Sequence, residues 1–148
     1  MIKVSEVMIK KVFTLKEDAS FKKIVSFLVK HKISGAPVVN SEGKLVGVIS
    51  EKDLFRKLFP TQKDFYKNME YYFTPDRIEK ESNKVVKLTA RNFMSKKIIS
   101  ISPDDTVIKA CSLLLIHGIR RLPVVKDGKL VGIVTTNNLY KNYLQKLV

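Results

Sequence analysis

The chain has a single cysteine, Cys111. An internal disulfide is thereby excluded, and one unpaired thiol fits a reducing compartment. No apolar run approaches the roughly 20 residues that a membrane-spanning helix needs. The first residues, MIKVSEVMIKKV, alternate charged with apolar side chains and lack the continuous apolar stretch of a secretory signal. These absences make a cytoplasmic location, with no membrane contact, the expectation. Catalytic signatures are missing too. There is no Cys/His cluster at metal-ligand spacing, no Gly-x-Ser-x-Gly elbow and no Walker-type phosphate loop. Two histidines and one cysteine, all on what read as helices, make a poor active site. The expectation is a protein that is no enzyme and holds no metal or cofactor.

Acidic residues are also scarce, 14 against 28 lysines and arginines, which leaves a net charge of +14. Such a balance favours polyanionic company: nucleotide phosphates, nucleic acid or an acidic partner. The lysines are spread along the chain, however, and a solvated basic surface accounts for them equally well. Apolar residues make up 45% and charged residues 28% of the 148 positions, as in an ordinary soluble globular protein. That length supports one sizeable core or two small halves.

What the chain does contain, it contains twice. With Val12 set against Ile98, Asp18 meets Asp104, Ser26 meets Ser112, His31 meets His117, and Pro37-Val38-Val39 meets Pro123-Val124-Val125. One residue drops out in the turn NSEG against KDG, after which GKLVGVISEKD (43–53) is answered by GKLVGIVTTNN (128–138). Each copy opens with a β-branched stretch, VFTL or IISI, that reads as a strand. A helix follows, N-capped by Ser20 or Thr106. Phe21, Ile24, Val25 and Leu28 give it an apolar stripe at i, i+3, i+4 and i+7, and Val107, Ala110, Cys111 and Leu114 repeat that stripe. Cys111 therefore reads as packing rather than as a nucleophile. Gly118 suits a left-handed close of the second helix. Lys32 stands in its place in the first, so a different cap is expected there. APVVN and KLVGVIS, like LPVVK and KLVGIVT, then read as hairpins joined at Glu-Gly or Asp-Gly. A second helix starts at Ser50 or Thr135. Each copy is thus β-α-β-β-α and too small to bury much surface alone, so face-to-face packing is expected.

The stretch 59–88 has no counterpart in either copy. Its aromatics and low glycine and serine content speak against a flexible linker. Phe65, Met69 and Tyr72, at i, i+4 and i+7, predict one helix ending before Thr74-Pro75. Covering exposed core and making a partner contact are both open to it. The division expected is 1–58, 59–88 and 89–148.

At this point the chain resembles a tandem pair of cystathionine-β-synthase-type (CBS) domains, the Bateman module. The residues that carry the resemblance are Val7-Met8, Ser34-Gly35-Ala36-Pro37-Val38-Val39 and Gly47-Val48-Ile49-Ser50-Glu51-Lys52-Asp53. In the second copy they are Phe93-Met94, Arg120-Arg121-Leu122-Pro123-Val124-Val125 and Gly132-Ile133-Val134-Thr135-Thr136-Asn137-Asn138. The resemblance implies an α/β (α+β) fold of two β-α-β-β-α repeats packed with pseudo-twofold symmetry, a helical insert between them, and two clefts. It further implies a regulatory module that binds AMP, ADP, ATP or S-adenosylmethionine, pairs into a homodimer and signals to a separate, unknown partner protein. A basic nucleic-acid-binding module and a purely structural dimerisation module are the alternatives.

Within that resemblance the Gly-h-h-Ser/Thr-x-x-Asp pattern sets a hydroxyl and a carboxylate at a helix start, and the carboxylate grips the two ribose hydroxyls. Ser50 and Asp53 match it completely. Thr135 and Asn138 match it less well, because an amide lacks the charge that strengthens such bonds. The same spacing also writes a capping box, and spacing alone does not separate the two. Arg120 and Arg121 are the phosphate candidates, since a guanidinium bonds two oxygens at once. The base would lie against apolar backbone at Val12, Phe13 and Ala36, with Ile98, Ile99 and Leu122 in the second copy, although core strand is the commoner fate of such residues. His31 and His117 read as helix-end residues favoured by the dipole.

Overall fold

A computed structural model of the chain describes residues 1–59 and 61–148. In chain order they form α1 (Val4–Val7), β1 (Leu15–Lys16), α2 (Phe21–His31), β2 (Gly35–Val39), β3 (Leu45–Ser50) and α3 (Glu51–Leu58). Between the copies come α4 (Gln62–Lys67), α5 (Met69–Tyr72) and α6 (Arg77–Val85). The second copy supplies α7 (Ala90–Phe93), α8 (Val107–His117), β4 (Arg121–Lys126), β5 (Lys129–Thr135), α9 (Thr136–Asn142) and a final 3₁₀ turn, Leu144–Leu147. The fold is α+β, and none of these helices is long and apolar enough to cross a membrane. The chain divides into two compact units, residues 13–97 and residues 1–12 with 98–148.

In the first unit β1 runs parallel to β2, which pairs antiparallel with β3 from Gly35 opposite Ser50 to Val39 opposite Leu45. The β-branched stretch contributes less strand than its composition suggests: only Leu15–Lys16 pairs. In the second unit the corresponding stretch is reduced to a single parallel bridge, Ile101 to Val124, beside the β4–β5 hairpin. The repeat helices follow the expected chemistry. Ser20 Oγ accepts from Lys23 N and Thr106 Oγ1 from Lys109 N, each at 3.2 Å. Ile24 and Leu28 are buried on α2, and Val107, Ala110 and Leu114 on α8. Val25 sits at the edge of its stripe, 37% exposed. Cys111 is half-buried, and burial pushes its thiol up, in keeping with a packing role.

The cap of α2 does not differ from that of α8. Lys32 itself adopts the left-handed conformation (φ 53°) that Gly118 adopts (φ 60°), each donating its N–H to the two carbonyls one turn back. The tertiary setting outweighs a left-handed penalty of about 1–2 kcal/mol for a residue with a Cβ. The insert likewise departs from the single helix that its spacing predicts. Asn68 (φ −150°, ψ 63°) breaks it into α4 and α5, although the expected end before Thr74-Pro75 holds. Phe65 still meets Tyr72 across the break, with ring centroids 6.3 Å apart. Farther on, α6 buries Val85 in the first unit's core.

The short helix leading into each copy packs with the body of the other copy. Val4 is fully buried among second-copy residues, its N–H donating to the Asp105 carbonyl at 2.8 Å and that of Ser5 to Pro103 at 3.0 Å. Ala90 and Phe93 enter the first core in the same manner, with Ala90 N–H donating to the Ala19 carbonyl and Arg91 N–H to Glu17, both at 2.9 Å. This exchange explains the repeated glycine of KLVG. A Cβ on Gly47 would lie 2.5 Å from Met94 Sδ and 3.0 Å from the Ser95 carbonyl, and one on Gly132 would lie 2.6 Å from Met8 Sδ. Replacement of either glycine by Ala is expected to destabilise the protein by about 1–3 kcal/mol through overpacking. Thermal melts check this, and a Met94→Ala partner change should reduce the loss at Gly47.

Asp105 adds a pH-dependent contribution where the leading segment docks. Its carboxylate accepts from Ser102 N–H (3.0 Å) and Lys109 Nζ (3.2 Å), and these bonds, the backbone one foremost, hold its pKa below the ordinary value. A depressed carboxyl contributes stability above its unfolded-state pKa, near 4, and loses it as pH falls through the folded value. Asp105→Asn should therefore show a smaller fall in melting temperature below about pH 4 than the parent.

Candidate functional site

The turn from β3 into α3 carries the first pair of candidates. Ser50 is the N-cap in extended conformation (φ −131°, ψ 164°), and Asp53 is the third helical residue. Asp53 Oδ2 accepts from Ser50 N at 2.8 Å and from Ser50 Oγ at 3.1 Å. The turn is anchored to the sheet by Glu51 N–H donating to the Ser34 carbonyl at 2.9 Å. The capping-box geometry that the spacing allows is thus formed, and Asp53 serves its own helix. Among the described residues its other oxygen, Oδ1, meets only the long contact of Arg56 Nη1 at 3.5 Å, from a guanidinium whose side chain is 74% exposed. The Asp53 side chain keeps 16% of its surface accessible. A carboxylate offers about four lone-pair positions, so acceptor capacity remains on Oδ1 after the cap is made.

The turn from β5 into α9 repeats the backbone and changes the chemistry. Thr135 Oγ1 accepts from Asn138 N at 3.0 Å, and Asn138 Oδ1 accepts from Thr135 N at 2.6 Å. The Asn138 amide nitrogen donates to the Val7 carbonyl at 2.6 Å, across 131 positions of sequence. Asn138 is buried at 7% exposure, with both ends of its amide engaged by backbone. The amide expected near the sugar thus ties the N-terminal segment to the second copy.

The remaining candidates are placed as follows. Arg120 is exposed at the start of the β4 region, its carbonyl accepting from Thr136 N–H at 3.0 Å. Arg121 is half-buried in β4, in register with Thr135. Both belong to the basic end of the second copy's hairpin. Ala36 and Leu122 are 0% exposed, so their side chains belong to the core and any contact of theirs with a base would be through backbone. Their alternation places them inward on β2 and β4, facing α2 and α8 rather than solvent. Val12, Ile98 and Ile99 are half-buried. Phe13 is partly exposed and stacks on His31, with centroids 3.9 Å apart and planes 21° from parallel, while Phe27 meets His31 edge-on at 4.6 Å. His31 thus closes a helix end with an aromatic partner of its own. His117 is exposed.

Sequence reasoning passed over Arg77. It is 4% exposed and donates from Nη1 to the Leu58 carbonyl at the end of α3, with its guanidinium over Phe59 (5.4 Å) and Tyr72 (5.2 Å). Nothing local marks it, since it begins an otherwise polar helix, RIEKESNKV. Among the described residues no group of three or more histidine, cysteine, aspartate or glutamate side chains is arranged to hold a metal ion.

Two copies of one α+β unit, each with a turn from strand to helix that starts at a hydroxyl residue, make an internally duplicated module. The chain belongs to the CBS domain family, whose model matches residues 4–60 and 90–144, and it is a tandem CBS pair. It is 35% identical over 144 residues to an uncharacterised protein of Methanocaldococcus jannaschii, covering 88% of this chain and 84% of that one. It spans less than half the length of several other curated relatives. Among solved structures it is similar to the CBS domain of a CBS-domain-containing membrane protein from Sphaerobacter thermophilus, at 31% identity, 95% and 87% coverage and a TM-score of 0.73. It is similar also to CBSX2 in complex with AMP, at 26% identity, full coverage of both chains and a TM-score of 0.74.

Proposed function

We propose that the chain is a regulatory module that senses an adenosine-containing ligand at the Ser50–Asp53 turn and acts on a separate partner protein. One observation carries the reading: the Asp53 side chain, 16% accessible, spends Oδ2 on Ser50 and leaves Oδ1 with only the long Arg56 contact among the described residues. An ionised acceptor there suits two vicinal sugar hydroxyls, with bonds stronger than neutral ones. Similarity to CBSX2, solved with AMP, supports the ligand class. Ser50 positions the carboxylate, and Arg120 and Arg121 are the cations assigned to phosphate, as Arg suits bidentate oxygen recognition. The reading includes a homodimer as the signalling form.

Titration calorimetry with AMP, ADP, ATP and S-adenosylmethionine tests it directly. The expected result is saturable heat with at least one of the four and a matching rise in melting temperature, since a ligand of the native state must stabilise it. No heat and no thermal shift with any of them would remove the proposal. RNA binding that falls steeply with salt, in the absence of nucleotide binding, would assign the charge of +14 to nucleic acid instead.

A further inference from the structure

We infer that α3 and the insert carry a binding surface for single-stranded nucleic acid, separate from the turn at Asp53 and independent of the reading given to it. Residues 55–73 hold four of the chain's eight phenylalanines and three of its five tyrosines. Burial does not account for them, because Phe55, Phe59, Tyr66, Tyr71 and Phe73 all stay exposed, Tyr66 at 65% and Phe73 at 72%. These rings are nonetheless held by an inner layer of Phe65, Tyr72 and Arg77, none of which is exposed. Phe65 meets Tyr66 and Phe73 edge-on, with centroids 5.5 and 5.4 Å apart. Arg77 lies over Phe59, which in turn meets Phe55 at 5.9 Å. Tyr72 meets Tyr71 edge-on at 5.1 Å, and the Tyr71 hydroxyl donates to Glu81 at 3.1 Å. Outer rings already oriented in this way lose little freedom when a flat partner stacks on them.

The chemistry of the surface selects its occupant. On α8 the exposed apolar residues are Ile108, Leu115 and Ile116, all aliphatic. A protein partner or an acyl chain is well served by such residues, since apolar burial scales with area and not with ring shape. From 55 to 73, by contrast, five of the six exposed large apolar side chains among the described residues are rings, Met69 being the sixth. Rings match an occupant with planar faces of its own. Lys57, Lys63 and Lys67 are exposed in the same stretch, and none of them has an ion pair among the described residues. Asp64, one of two acids between 57 and 73, is engaged by the Thr61 hydroxyl at 2.9 Å. The whole unit of residues 13–97 carries 18 lysines and arginines against 10 acidic residues. Planar faces strung on a negatively charged backbone describe a strand with unpaired bases. A duplex offers the same charge but keeps its bases stacked on one another.

Fluorescence anisotropy with a labelled oligouridylate of about 12 nucleotides tests this on the whole chain, with uridine chosen so that no adenosine is present. Saturable binding is expected, about tenfold or more tighter than to an RNA duplex of the same length, and unmoved by excess AMP. Phe73→Leu and Tyr66→Leu should each weaken it about tenfold, whereas Phe73→Tyr and Tyr66→Phe should keep it, because only the second pair retains a face to stack. Lys63→Gln and Lys67→Gln should each lower the slope of log affinity against log salt by about 0.7. Every substituted position is exposed, so melting temperatures should stay near the parent's. No binding, equal affinity for the duplex, displacement by AMP, or full affinity in the leucine variants would each overturn the inference. Capture by phosphatidylserine vesicles without oligouridylate binding would also overturn it and assign the surface to a membrane. The oligouridylate titration contains no nucleotide ligand, so this inference and the Asp53 reading fail separately.

Discussion

Replacement of Asp53 by Asn is expected to weaken nucleotide binding by about 30- to 100-fold while leaving stability nearly unchanged. The two effects separate because the residue has two jobs on two oxygens. Asn keeps the Oδ atom that accepts from the Ser50 N–H, as Asn138 keeps the equivalent bond to Thr135. What it loses is the negative charge. A hydrogen bond to a charged group contributes about 1 kcal/mol more than a neutral one, so two sugar hydroxyls lose about 2–3 kcal/mol together. At 1.4 kcal/mol per decade that is the stated range. Asp53→Ala should lose the affinity and, in addition, about 1 kcal/mol of stability with the cap. Calorimetry and melting curves on both variants separate the roles. Affinity retained in Asp53→Asn would place the sugar elsewhere.

The second large effect concerns Arg77, which ties the insert to the first unit. Its guanidinium satisfies the Leu58 carbonyl, one of the last orphan acceptors of α3, and lies over two aromatic rings. Yet its Nε is buried with no hydrogen-bond partner among the described residues, an unfavourable arrangement for a charged group. Arg77→Ala removes the charged bond, worth about 1.5–3 kcal/mol, and desolvated ring contacts worth up to about 2 kcal/mol. Loss of the orphaned Nε returns part of that, leaving a net destabilisation of about 2–4 kcal/mol. A chain of this size should then melt about 5–15 °C lower. Arg77→Met, which keeps an unbranched apolar stem among Phe59 and Tyr72 without a buried charge, should recover at least half of the loss. If Met melts as low as Ala, the charge itself holds the insert and the packing argument fails.

Much of the fold was legible because its signals are local. The N-caps at Ser20 and Thr106 need only a hydroxyl three residues ahead of a free N–H, and the hairpins need only Asp-Gly or its equivalent between apolar runs. The duplicated sequence made each local reading twice as secure. Expectations failed where distant residues decided the outcome. Lys32 takes a left-handed conformation that its residue type does not announce, and Asn68 breaks a helix whose spacing looked continuous. The side chains of Ala36 and Leu122 are core, as the strand reading allowed, since a strand's alternation does not by itself say which face is covered. The choice between cap and clamp at Ser50–Asp53 was invisible in spacing. The structure forms the cap and leaves one carboxylate oxygen over.

By itself the sequence determined the duplication, the order of strands and helices within each copy, and the polar residues at each turn, since all of these follow from backbone preferences over a few neighbouring positions. Only the tertiary structure decided that each leading segment packs into the other copy's core, that the KLVG glycines make room for Met8 and Met94, and that Asn138 holds Val7. Those outcomes join residues 47 to 131 positions apart. No short-range pattern records them, because the free energy that selects them exists only once distant surfaces exclude water together.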